Sequence, residues 1–189
     1  MFALILGLLL FLGVHSVRIV APAWRGARLA AMGEGAWKGA YSLVSFVGLA
    51  LIVWGYGLAW QDNVFLYEPP VWTKHIAALL MLLALISFAV YAMPAGRLKP
   101  VLKHPMLLFV KIWAVAHLLS NGDLASVLLF ASFLAWAVAD RISVKRRATA
   151  LATPGPIGFD LAAVALGVVL YLLFVWRLHE WLFGVSPFG

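Results

Sequence analysis

Apolar residues in this chain come in long blocks separated by short polar joints, without the two-residue alternation of a half-buried sheet. Six blocks approach the roughly 20 residues that a bilayer-crossing helix needs: 2–20, 41–60, 75–93, 105–120, 124–139 and 159–181. The fourth and fifth are short and are separated by Ser120-Asn121-Gly122-Asp123, a tight turn. Pro105 is placed to open the fourth block as the first residue of a helix. The pattern predicts an all-α polytopic membrane protein, a bundle of six transmembrane helices forming one domain over residues 1–189. The segments around 21–40 and 140–158 are the longest joints, and both are expected to be surface loops.

Small residues at four-residue spacing mark faces where helices can approach closely in lipid. Ala131, Ala135 and Ala139 form one such stripe, and Ala163 with Gly167 forms another. Ser45, Gly48 and Gly55 share a face of the second span. Trp24, Trp37, Trp60, Trp72 and Trp181 fall near block ends, as interfacial anchors do.

Composition agrees with the pattern. Of 189 residues 65% are hydrophobic and 11% charged, too few polar groups to cover a water-facing surface. The net charge of +7 does not point to nucleic acid, because most of the 14 Lys and Arg residues sit in alternate joints. Arg18, Arg25, Arg28 and Lys38 follow the first span. Arg97, Lys99 and Lys103 precede the fourth, and Arg141, Lys145, Arg146 and Arg147 follow the fifth. The other side carries Asp62, Glu68, Lys74, Asp123, Arg177 and Glu180. The positive-inside rule then puts the basic joints in the cytoplasm and both termini outside, an N-out/C-out topology. The first block lacks the basic start and cleavage site of a signal peptide and is expected to be a retained helix. With no cysteine, disulfides and thiolate metal sites are excluded.

Chemistry must come from polar groups on the spans, which are costly in lipid and therefore mark functional sites. His15 lies near the cytoplasmic end of the first span with Arg18 one turn on. The pair suits an imidazole–iron bond beside an arginine–propionate contact, or else His15 simply bonds a nearby backbone carbonyl. Trp113, His117 and Asn121 are spaced by four on the fourth span, so Asn121 could orient a metal-bound His117, or the three could close the turn before the fifth span. His104 precedes Pro105, with Lys111 on nearly the same face. A lysine near mid-span costs about 2.5–3.5 kcal/mol unless it snorkels or meets an anion such as a propionate, a phosphate or Asp160. His75 and His179 sit at the outer edge. No HExxH motif, phosphate-cradling loop or Ser/His/Asp ordering is present, and proton or ion transport would normally leave carboxylates within the spans.

Four blocks resemble the NnrU family of bacterial integral membrane proteins: Leu12-Gly13-Val14-His15-Ser16-Val17-Arg18, the stretch from Gly33 to Ser45, Lys103-His104-Pro105-Met106-Leu107-Leu108, and Trp113 to Asp123. That family is named for an association with nitric oxide and nitrite reductase systems. It is related to the 15-cis-zeta-carotene isomerase, which holds haem b between two histidines. The resemblance implies a bacterial inner-membrane protein binding haem b through His15 and His117. Arg18 and Lys111 would be propionate partners, and an apolar polyene-like substrate or a membrane reductase would be the partner. Where the isomerase has an alternative cysteine ligand this chain has Ala114. On simple topology His104 matches His15 better in depth than His117 does, and is an alternative second ligand. Lys103-His104-Pro105 and Glu180-Trp181-Leu182-Phe183-Gly184 are more loosely similar to isoprenylcysteine carboxyl methyltransferases, which implies S-adenosylmethionine held by His104 and Glu180. A third reading is a non-catalytic assembly factor for a membrane reductase.

Overall fold

The computed structural model describes residues 1–61, 64–147 and 150–188; Asp62, one of the charges assigned to the outer face, lies outside them. The described chain is all-α. Its helices are α1 (Phe2–Val20), α2 (Pro22–Gln61), α3 (Val71–Ala92), α4 (Leu98–Leu102), α5 (Pro105–Ser120), α6 (Leu124–Arg146), α7 (Ile157–Leu173) and α8 (His179–Phe183). A single π-helical turn, Phe174–Leu178, joins the last two. All six apolar blocks are helical. Five helices are long and apolar enough to cross a bilayer: α1, α2, α3, α6 and the continuous Ile157–Phe183 rod. The fourth block, α5, has 16 residues. At 1.5 Å per residue that is about 24 Å, short of a hydrocarbon core of ~30 Å.

Large apolar side chains cover the outside. Phe2, Phe46, Val53, Trp176 and Trp181 are each at least two-thirds exposed. Water would penalise this surface, whereas lipid solvates it. The chain is a multi-pass membrane protein.

Two expectations need correction. The fifth block is not short: α6 runs 23 residues to Arg146, because Arg141, Lys145 and Arg146 continue the helix beyond the apolar run into the joint expected to be a loop over 140–158. Residues 22–32 are not a loop: they are helical, and so are 34–61. Pro22 starts this helix where its missing N–H costs nothing, and alanines carry it on. Helical geometry breaks at Gly33 alone, with φ 78° and ψ 163°, a region open essentially only to glycine. Trp24 and Trp37 would lie about 20 Å apart along a straight helix. Their ring centroids are 6.0 Å apart, so the chain doubles back at Gly33.

The described chain falls into two compact units. The first comprises Met1–Tyr67 and Gly122–Ser143. Here α1 lies along the second part of α2 with glycines at the contact. A Cβ on Gly7 would stand 2.6 Å from the Ile52 nitrogen, and one on Gly48 2.7 Å from the Phe11 nitrogen. One on Gly55 would overlap the Leu4 backbone. Leu4, Leu8, Ile52, Ala59 and Ala125 form the core. Tyr56 Oη and Ser126 Oγ share a hydrogen bond of 2.7 Å. Asp123, almost fully buried, caps α6 by accepting the Ser126 N–H at 2.8 Å. The Leu66 N–H donates to the Gly122 carbonyl and the Leu124 N–H to that of Val64, which pins the start of α6.

The second unit comprises Glu68–Asn121 and Val144–Gly189. Here α3 packs against α5 and α7. Gly167 lets α7 approach α3, since a Cβ there would stand 2.6 Å from the Ile86 α-carbon. Buried Ser87 donates to the Pro105 carbonyl at 2.8 Å. Lys99 Nζ donates to the carbonyls of Tyr91 and Met93 at the end of α3. Asp160, in the first turn of α7, is buried and accepts the Arg97 and Leu98 N–H groups at 2.8 and 3.0 Å. It thereby holds the entry to α4.

Of the small-residue stripes, Gly48, Gly55, Ala163 and Gly167 lie at helix contacts. Ala131, Ala135 and Ala139 do not: all three are exposed, and α6 buries Ala125, Ser126, Phe130 and Ala137 instead. Spacing alone does not say which face of an apolar helix meets protein. The close α1–α2 approach gives a direct test. Gly55→Ala should destabilise the protein by about 1–3 kcal/mol. Gly57→Ala, whose Cβ would meet nothing within 4 Å, should be neutral or slightly stabilising. Thermal unfolding in detergent separates the two.

Candidate functional site

The ring of His15 in α1 is enclosed by aromatic groups from three helices of its unit. Phe11, one turn back, stacks on it at 4.2 Å between centroids. Tyr41 of α2 lies 5.1 Å away, and Trp136 of α6 meets it edge-on at 5.9 Å. His15 Nδ1 is 2.7 Å from the Phe11 carbonyl oxygen. A carbonyl can only accept, so Nδ1 carries a proton and Nε2 is the ring nitrogen that points away from this bond. Metal-bound imidazoles are oriented by a bond of this kind through their other nitrogen. The Trp136 Nε1–H is a buried donor with no hydrogen-bond acceptor among the described residues. Buried donors are rarely left so, and a group that sits against His15 could supply the acceptor. Arg18, one turn beyond His15, is exposed.

In the other unit His117 repeats the arrangement on α5. Its Nδ1–H donates to the Trp113 carbonyl at 2.8 Å, and the Trp113 ring lies 5.4 Å from its own. The expected link between Asn121 and His117 exists in a different form. The Asn121 side-chain amide donates to the His117 backbone carbonyl at 2.9 Å, and the Asn121 N–H does the same. Asn121 therefore caps the end of α5, while the Trp113 carbonyl orients the ring.

The remaining residues singled out from the sequence fall in this second unit. His104 caps the start of α5, its carbonyl accepting the Leu108 N–H. Lys111 is half-buried on α5 and makes no ion pair with Asp160, whose oxygens serve the amides before α4. His179 donates to the Val185 carbonyl at 2.7 Å, and His75 stacks on Phe188 at 6.2 Å, so both belong to the C-terminal packing. Glu180 is exposed. Among the described residues no three His, Asp or Glu side chains converge on a possible metal position.

Sequence reasoning named His15 and His117 but not Phe11, Tyr41 or Trp136. An aromatic residue four before each histidine is a readable local signal. Tyr41 and Trp136 reach His15 only through tertiary packing.

No curated protein and no solved structure matches this chain. A family model does: the one described as NnrU protein matches residues 3–187. This is nearly the whole length and runs through every helix above, both histidine turns and the glycine contacts between α1 and α2. The chain is a membrane protein of the NnrU family.

Proposed function

We propose that this chain binds haem b, with His15 and His117 supplying the axial imidazoles, and serves redox or isomerase-type chemistry in the bacterial inner membrane. One observation carries the reading. Each histidine commits its Nδ1–H to the carbonyl four residues back, which orients the ring and keeps Nδ1 from competing for a metal. An imidazole oriented through one nitrogen is suited to bind iron through the other, and the ring lies against a neighbouring aromatic side chain. Haem would supply an iron that changes oxidation state. The protein's own residues would orient each ligand ring, shield His15 with Phe11, Tyr41 and Trp136 and His117 with Trp113, and offer cations for the propionates. Arg18 and half-buried Lys111 are the candidates for the last role, with the Trp136 N–H as a further donor. His104 remains the substitute ligand if His117 is not used.

The resemblance to the carotene isomerase supports the same reading and suggests a polyene-like apolar substrate. The family's association with nitrogen-oxide respiration suggests a membrane reductase as the alternative partner. Six spans, with α5 as the short one, and an N-out/C-out orientation complete the proposal.

Purified from haem-replete cells in detergent, the protein should show a reduced-minus-oxidised difference spectrum with Soret and α bands. His15→Ala and His117→Ala should each remove or strongly weaken them, and His75→Ala should leave them intact. A colourless protein, or bands indifferent to both substitutions, would refute the assignment. Orientation is open to a separate test because the chain has no cysteine. Ser186→Cys should react with an impermeant maleimide on intact cells, and Arg146→Cys only after lysis. The reverse pattern would overturn N-out/C-out.

A further inference from the structure

The helical hairpin formed by residues 22–39 has no evident role in the haem reading. Ala21 alone separates it from the end of α1, so it begins where a membrane span ends. Nearly all its residues are exposed, among them Trp24, Arg28 and Met32. Its first arm, 22–32, is eleven residues long. A helix that short is marginal by itself in water and needs a surface to lie on.

The hairpin has a specific chemical face. Trp24 and Trp37 meet edge to face at 6.0 Å across the Gly33 bend. The Arg25 guanidinium lies 5.8 Å from the Trp37 ring centre, and that of Arg28 lies 5.5 Å from Trp24. Both cations are thus held on one pair of indoles, which fixes the charges without using up their N–H groups. Neither arginine has a carboxylate within ion-pair distance among the described residues. Glu34, beside the Gly33 bend, is committed to Lys38 at 2.6 Å, and Asp140, whose charge reaches Tyr41 as that of Arg25 does, is beyond ion-pair distance of both arginines. The result is a fixed double cation that lacks an anion.

We infer that Arg25 and Arg28, held on Trp24 and Trp37, form a binding site for the phosphate of an anionic phospholipid. The position argues for lipid. A platform one residue beyond a span lies at headgroup depth, where phosphates are most concentrated and where indoles partition. Guanidinium forks match phosphate oxygens in pairs. With the lipid surface beneath it, the short first arm gains the support that the rest of the chain does not provide.

The test titrates the full-length chain in neutral detergent micelles with fluorescent phosphatidylglycerol and, separately, phosphatidylcholine, read by anisotropy. Phosphatidylglycerol should bind more tightly, and added salt should weaken it. R25Q/R28Q should lower its affinity roughly thirtyfold. R141Q/K145Q removes the same charge from α6 and should change it less than about threefold. Soluble glycerol phosphate at matched concentration should not displace the lipid. Equal binding of both lipids, equal losses in both double variants, or displacement by glycerol phosphate would each overturn the assignment. Circular dichroism checks folding. If R25Q/R28Q fails to fold, R28Q alone decides: about a fivefold loss is expected, and unchanged affinity overturns the site.

Discussion

A polar group in lipid has no water to fall back on, and this chain answers that constraint mainly within a single helical turn. Ser45 bonds the Tyr41 carbonyl, Ser120 that of Ala116, and Asn121 that of His117. His15 and His117 do the same with Phe11 and Trp113. An imidazole has two nitrogens, and the local bond uses one. The second, Nε2, is the position at which such a ring can take a metal.

The aromatic enclosure of His15 depends in turn on how closely its helices approach. Gly7, Gly48 and Gly55 let the α1 and α2 backbones come within a distance that any side chain would prevent. Tyr41 lies one turn before Ser45 on that same helix. Trp136 is brought to the ring by α6, anchored at its start by the Asp123 cap and the Tyr56–Ser126 bond. In the second unit the corresponding work is done by Gly167 against α3, by Ser87 on the Pro105 carbonyl and by buried Asp160. Van der Waals fit and a few satisfied polar bonds hold helices together where lipid gives no hydrophobic drive.

Much of this was legible in the sequence, because span-forming blocks are long and their ends carry chemical marks. The first and fourth blocks have the same bounds as α1 and α5, the latter set by Pro105 and Asn121. The 22–32 helix was missed because its alanines and glycines lack a strong apolar stripe, and Gly33 hides a bend that only backbone angles reveal. The Ala131, Ala135 and Ala139 stripe misled because small residues are as welcome beside lipid as beside a helix. At the site the local half could be read: a histidine with an aromatic residue one turn earlier. The long-range half, Tyr41 and Trp136, depends on helix packing that no spacing encodes.

Haem ligation by His15 and His117 requires each ring to carry its proton on Nδ1 and to offer Nε2 to the iron. Free imidazole side chains in water favour the opposite tautomer, so the claim is not a default. Nitrogen-15 NMR of histidine-labelled, haem-free protein in micelles at neutral pH reads the tautomer directly. The account predicts protonated Nδ1 and unprotonated Nε2 for both residues, with the assignments lost in His15→Ala and His117→Ala. Protonated Nε2, or a doubly protonated ring, at either position would contradict it.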